Sequence, residues 1–311
     1  MSQAFQYTTL DVFTDRRFAG NPLAIVQVPK DSATSLTQEQ KQIIAREFNF
    51  SETVFLYEDE STDKAQTKID IFTTTEELPF AGHPTIGSAC FFMKQIAADA
   101  STTITHGKII TKSGPIPITY DATTKTATAT IPHNVHIHSR MLQPSDLFNC
   151  QPNLTTHAPT LASHFPIVSI VRGMTFALIE LPNTEILAQV QQAARPLAAA
   201  LDEGWGESFV GSYFFVKQSR SGSQWNLRTR MIDGFLEDPA TGSAASTLAA
   251  YLSIDSNSPS TDFEFKMLQG VEMGRPSEIG LHVKTNEAGN GVETVHLIGQ
   301  AVVVTEGKLW V

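Results

Sequence analysis

Asp238-Pro239-Ala240-Thr241-Gly242-Ser243-Ala244-Ala245-Ser246-Thr247-Leu248-Ala249-Ala250-Tyr251-Leu252 is a run of small and apolar residues with no polar side. A helix laid on a protein surface has an apolar stripe and a charged opposite face, whereas a helix that is small and apolar nearly all round is enclosed. The segments around it read as strands, so the natural enclosure is a curved sheet, which Gly and Ala allow to approach closely. An ordinary layered α+β domain is the competing arrangement on pattern alone. A second stretch, His83-Pro84-Thr85-Ile86-Gly87-Ser88-Ala89, aligns without a gap with Asp238 to Ala244 at a spacing of 155 residues, half the chain. Each stretch puts an ionisable residue before a proline and then enters a small-residue helix. The chain therefore reads as two pseudo-symmetric halves, with His83 and Asp238 expected to face each other across a cleft, each at a helix N-terminus.

Composition narrows the function classes. With 311 residues, 41% hydrophobic and 17% charged, this is an ordinary globular sequence of about two-domain length. A net charge of −10 argues against a nucleic-acid partner. A small anion is still allowed, because helix termini and single cations govern a pocket more than net charge does. Met1 to Tyr7 shows neither the basic start nor the apolar core of an export signal, and no apolar run reaches bilayer length, so no membrane is expected. Cys90 and Cys150 are too few for a disulfide framework and have no metal-ligand spacing, which makes the cytoplasm the expected compartment.

Along the first half, Tyr7 to Phe13 alternates like a strand, and Ala19-Gly20-Asn21-Pro22 turns into a second at Leu23 to Val26. Thr37 with Gln40 predicts a capped helix whose apolar side is Ile43, Ile44 and Phe48 and whose end is Asn49. Strands are expected at Val54 to Tyr57 and around Ile69 and Ile71, then the first small-residue helix towards Lys94. Thr102 to Thr130 reads as strands joined by tight turns. The second half repeats this order: strands at 167–171 and 177–181, a helix around Glu185 to Leu201, strands at 213–216 and 227–231, the Asp-Pro helix, and strands at 263–267, 279–283 and 295–304. His133 to Pro159, with scattered Pro, Asn and His, is the expected junction, giving domains 1–130 and 131–311 with the last strand free to return to the first.

Six separated blocks occur in one order: Ala19-Gly20-Asn21-Pro22; Ser51-Glu52-Thr53-Val54-Phe55; Leu78-Pro79-Phe80-Ala81-Gly82-His83-Pro84-Thr85; Glu237-Asp238-Pro239-Ala240-Thr241-Gly242-Ser243; Gln269-Gly270 with Met273-Gly274-Arg275-Pro276-Ser277; and Gly299-Gln300-Ala301-Val302. Together they resemble the phenazine-biosynthesis PhzF family across the whole chain. The resemblance implies an α+β diaminopimelate-epimerase-like fold: two pseudo-symmetric domains, each a barrel-like mixed sheet around a central helix, with the site in the cleft between them. It also implies a cofactor-free isomerase that transfers protons, in a family commonly dimeric, so a homodimer acting on a small carboxylate metabolite is expected.

Carried over by motif position, the catalytic carboxylate is Glu52, with His83, Asp238 and Ser243 around the reacting carbon. A carboxylate at the mouth of an apolar strand can have its pKa raised by burial until it both takes and returns a proton near neutral pH. For an arbitrary Glu an exposed loop is the ordinary place. His83 reads as a second relay or a donor to substrate, against a capping or packing role; Asp238 before Pro239 is also what an N-cap followed by an N1 proline looks like. Substrate binding is expected from Gly82, Pro84, Thr85, Thr241, Gly242 and Asn21, with the glycines Gly82, Gly87 and Gly242 keeping side chains away so that backbone N–H groups at the helix starts can meet a carboxylate. Phe80 reads as core or pocket wall, and Ser88 as structural.

His133-x-x-His136-x-His138 has metal-like spacing, but no Cys or acidic ligand is expected to accompany it and alternation sends His133 and His136 to opposite faces, so no metal is expected. Gly204-Trp205-Gly206 lacks the rest of a dinucleotide motif, and no P-loop or nucleophile elbow occurs, so no cofactor is expected. A racemase of the same fold would use two cysteines at helix starts, and neither Cys90 nor Cys150 is so placed. A catalytically silent binding protein is the remaining alternative.

Overall fold

The computed structural model describes residues 3–30, 36–58, 64–100, 102–206, 208–256 and 261–311. The chain divides into two compact units, residues 1–130 with 297–311, and residues 131–296. The first opens on an antiparallel hairpin of β1 (Ala4–Val12) and β2 (Asn21–Val28). Helix α1 (Gln38–Phe48) crosses to β3 (Glu52–Tyr57), parallel to β2. β4 (Gln66–Phe72) returns antiparallel to β3 and pairs with the two-residue β5 (Glu77–Leu78). Helix α2 (Gly82–Ala100) then crosses to β6 (Ile104–Thr111), parallel to β4, and β7 (Gly114–Asp121) and β8 (Thr126–Thr130) follow as a meander.

The second unit begins with β9 (His136–Leu142), α3 (Pro144–Cys150) and a 3-10 turn over Pro152–Thr160, within the stretch expected to be a junction. It then repeats the pairing scheme of the first. β10 (Phe165–Val171) and β11 (Met174–Glu180) form a hairpin; α4 (Thr184–Leu187) and a coil lead to β12 (Phe209–Ser221), parallel to β11. β13 (Gln224–Asp233) runs antiparallel to β12 and pairs with β14 (Leu236–Asp238). Helix α5 (Gly242–Asp255) crosses to β15 (Asp262–Gln269), parallel to β13, with β16 (Ser277–Thr285) beside it. The last strand, β17 (Val292–Trp310), pairs its residues 301–310 with β1.

The small-residue helices are enclosed, as their composition requires. α5 is buried from Gly242 to Ser253 apart from Ser243 and Tyr251, and packs on β10, β11, β15 and β16. α2 packs on β1, β2, β3, β6, β7 and β8. A Cβ at Gly87 would lie 2.5 Å from Leu23 Cδ2 and 2.8 Å from Val12 Cγ2, so the helix comes as close to β1 and β2 as its backbone permits. Mixed sheets wrapped on helices replace the layered alternative. α1 carries the expected capping box of Thr37 and Gln40, and Asn49 ends it with a left-handed φ of 52°. Among the described residues no helix is long and apolar enough to cross a membrane.

Two expectations are corrected. The helix read over Glu185 to Leu201 is one turn long, because the following coil is held by other groups: the Arg230 guanidinium donates to Leu187 O and Ala188 O, Gln191 N–H donates to the buried Gln151 side chain, and Pro196 lacks the N–H that a helix needs. The repeat is also set differently from its sequence echo. The helix starts, Gly82 and Gly242, stand 160 residues apart, not 155, and so do the paired strand residues Ile71 with Leu78 and Met231 with Asp238. In structure, His83 corresponds to Ser243, each the second residue of its helix, and Asp238 corresponds to Leu78.

Candidate active site

The first group of site residues assembles around the start of α2. Glu52 is the first residue of β3, whose next four residues are buried, so its carboxylate sits at the mouth of an apolar strand. His83, buried in the first turn of α2, places Nδ1 3.2 Å from Glu52 Oε2. Pro84 follows at the third helical position, where a missing N–H costs nothing. Thr85 is buried and its hydroxyl donates to Ala81 O at 2.7 Å, so that group serves the helix's own start. Gly82 opens the helix, and no acidic residue occupies its first turn.

Asn21, buried at the start of β2, has its Oδ1 3.2 Å from Ser51 Oγ, and the single Ser51 hydroxyl hydrogen is shared between this amide oxygen and the Glu52 carboxylate. Ser51 was not among the expected site residues; its place beside Glu52 in the motif was the available signal. Burial pushes the Glu52 pKa up, but the facing His83 and the Ser51 hydroxyl outweigh it, and the carboxyl is held below its ordinary value. This corrects the expected rise. Glu52 is a resting carboxylate.

The second group surrounds the start of α5. Asp238 ends β14, and its Oδ2 accepts the Thr241 hydroxyl at 2.6 Å. Thr241, not Asp238, is the N-cap of α5, and Pro239 lies outside the helix, which corrects the N-cap reading of Asp238. Because the Thr241 hydroxyl turns to Asp238, it does not cap the helix, and the first N–H groups over Gly242 and Ser243 carry no side-chain cap from Thr241. Ser243 is half-buried at the second helical position. The two units thus differ in chemistry: Glu52 with His83 in one, Asp238 with Ser243 in the other.

Cys90 lies deep in α2, with Sγ 3.7 Å from Gly299 O, and burial pushes its thiol up to about 12. A thiol held protonated does not suit a cysteine racemase. The histidine cluster is different from its sequence reading. His136 and His138 share one face of β9, and Asp202 joins them from the coil after α4, with all three ligand atoms within 4.8 Å. Those atoms are already engaged. Asp202 takes hydrogen bonds from Ser139 and His136, His138 Nδ1 accepts the Asp202 N–H at 3.2 Å, and its Nε2 meets Ser169 Oγ at 2.9 Å. Trp205 stacks on His136 at 4.5 Å. The cluster is a latch for the coil. His133 lies outside it, with ring nitrogens at Ile131 O and Val292 O.

Comparison with known proteins bears on the whole chain. An uncharacterised isomerase of Mesorhizobium japonicum is 31% identical over 99% of this chain and 100% of its own. A protein of Pseudomonas aeruginosa named trans-2,3-dihydro-3-hydroxyanthranilate isomerase is 29% identical over 98% and 99%. The crystal structure of a Bacillus anthracis phenazine biosynthesis protein of the PhzF family superposes with a TM-score of 0.75 over 99% of this chain and all of that one, at 18% identity, so the architecture is shared. The profile of the phenazine biosynthesis-like proteins matches from residue 10 to residue 307, and with nearly the full length accounted for, the chain belongs to the PhzC-PhzF family of isomerases.

Proposed function

We propose that this protein is a cofactor-independent isomerase that moves a proton between two carbons of a small carboxylic acid, with Glu52 as the shuttle. The observation that carries this is the 3.2 Å pairing of a resting carboxylate, Glu52, with a buried histidine, His83, in the first turn of an enclosed helix. An ionised Glu52 takes a proton from a carbon acidified by a neighbouring carbonyl or carboxyl group, while His83 holds the carboxylate in place. The bound anion adds negative charge and excludes water, and both raise the proton affinity of Glu52, which then returns the proton at a second carbon. No proton is gained or lost in the cycle, so none has to come from a cofactor.

The backbone N–H groups at Gly82 in one unit and at Gly242–Ser243 in the other are each proposed as a helix start able to take a carboxylate, since helix N-termini favour anions and neither first turn holds an acid. Asp238 and Ser243 keep the site roles that their motif positions imply, Asp238 as an acceptor for a substrate N–H or O–H. Substrates of the dihydro-hydroxyanthranilate kind are the first to test, given the Pseudomonas relative.

Turnover in D2O of trans-2,3-dihydro-3-hydroxyanthranilate and a panel of small unsaturated and amino acids, followed by NMR, tests the reading. Wild type is expected to place deuterium on product or to transfer label internally, and Glu52→Gln to reduce turnover by roughly two to four orders of magnitude with the fold intact. Near-normal turnover in Glu52→Gln with loss in Asp238→Asn would move the base to Asp238. If wild type exchanges none of these acids, the silent binder becomes the better reading.

A further inference from the structure

Beside Asp238 lies a fully buried amide that the mechanism above does not use. Gln269 ends β15 and has no exposed surface. Its Nε2 donates to Asp238 O at 2.8 Å and to Thr241 Oγ1 at 3.0 Å. Its Oε1 accepts from Thr241 N–H at 3.4 Å and from the buried Tyr213 hydroxyl at 3.1 Å. A backbone carbonyl only accepts and a backbone N–H only donates, so these partners fix which end of the amide is which. Thr241 Oγ1 receives a hydrogen from Gln269, and its own hydrogen is left for Asp238 Oδ2 at 2.6 Å. The sequence of donors runs one way: amide, hydroxyl, carboxylate. Gly270 follows with φ +73°, and a Cβ there would sit 2.6 Å from Pro239 O, so the chain after Gln269 is pressed against the same loop.

We propose that Gln269 is a positioning residue that, through Thr241, holds Asp238 as a hydrogen-bond-accepting carboxylate and sets the Asp238–Thr241 loop at the start of α5. The inference rests on the assignment of Asp238 to the site. Neither Gln269 nor Thr241 titrates, so the hold is the same at any working pH. On the strands around Asp238, Tyr213 of β12 is kept a neutral phenol by burial; β13 carries Arg228, paired with Glu272, Arg230, paired with Glu237 of β14, and Asp233, whose carboxyl pKa burial pushes up; Lys217 and Arg220 of β12 and Asp262, Glu264 and Lys266 of β15 are exposed. The first turn of α5 adds no acid.

Protein labelled with 13C at aspartate carboxyls, with the Asp238 signal identified by its loss in Asp238→Asn, would be titrated by NMR. Thr241→Val and Gln269→Met are each expected to raise the Asp238 midpoint by about one pH unit, the usual scale for losing a hydrogen bond to the charged form. Tyr213→Phe removes a buried hydrogen bond from the same amide and is expected to lower Tm while leaving the midpoint in place. An unmoved midpoint in Thr241→Val, which keeps the side-chain shape, overturns the proposal even if Gln269→Met does not fold. An equal displacement in Tyr213→Phe also overturns it, since that marks general loosening. The titration needs no substrate, so failure of the isomerase assay leaves this result standing, and the reverse holds as well.

Discussion

Glu52 is where burial and charge oppose each other most directly. Burial favours the protonated form and would push the pKa above its ordinary 4.5, but His83 and Ser51 favour the carboxylate and prevail. A carboxyl whose folded pKa is depressed stabilises the fold fully above the unfolded value, and that contribution fades as pH falls through the folded value. Urea unfolding of wild type and Glu52→Gln between pH 6 and pH 3 should therefore show the balance shifting towards the Gln variant as pH drops below about 4.5. A difference that stays constant over this range would mean that the carboxylate is not coupled to His83. Sequence patterning placed Glu52 at the strand mouth but got the sign of its shift wrong. The partner that reverses it comes from a helix whose start is about 30 residues further along the chain.

At the scale of elements, the two enclosed helices show how small residues set a helix-to-sheet distance. Gly87→Ala tests which of two opposing effects is larger. Alanine favours a helix interior by about 1 kcal/mol over glycine. Its Cβ, however, would lie 2.5 Å and 2.8 Å from Leu23 and Val12, both fully buried, and overpacking a dense core costs about 1–3 kcal/mol. The side chains it meets are fully buried, so the net change is expected to be destabilising, read as a lower urea midpoint with unchanged slope. A stabilised variant would show that α2 does not press on β1 and β2. The short α4 shows the opposite case: Ala-rich residues after it have helix propensity, yet Arg230, Gln151 and the Asp202 latch satisfy the coil's backbone instead.

For the molecule as a whole, the first question is whether a metal takes part. Among the described residues, the histidine cluster with Asp202 is the group with metal-like geometry, and its ligand atoms are committed to protein hydrogen bonds. Dialysis against a strong chelator is expected to leave both turnover and Tm unchanged, with no stoichiometric zinc or iron found by elemental analysis. Metal lost together with activity would refute a metal-free reaction.

Local pattern in the chain was enough to determine the capped α1 and its end at Asn49, most strands, and the enclosure of two helices, because capping, alternation and all-round small residues are read within a few positions of one another. The six motif blocks likewise marked the family from sequence. Tertiary structure alone decided how the repeat is registered. The echo of His83–Ala89 in Asp238–Ala244 suggested 155, but the strand pairings Ile71 with Leu78 and Met231 with Asp238 impose 160 and match His83 to Ser243. It also decided that Asp202 joins His136 and His138, and that Gln269 hydrogen-bonds Thr241. Those partners are 64 or 66 and 28 residues apart in the chain, and only the pairing of β9, β13 and β15 with their neighbours brings them within hydrogen-bond distance.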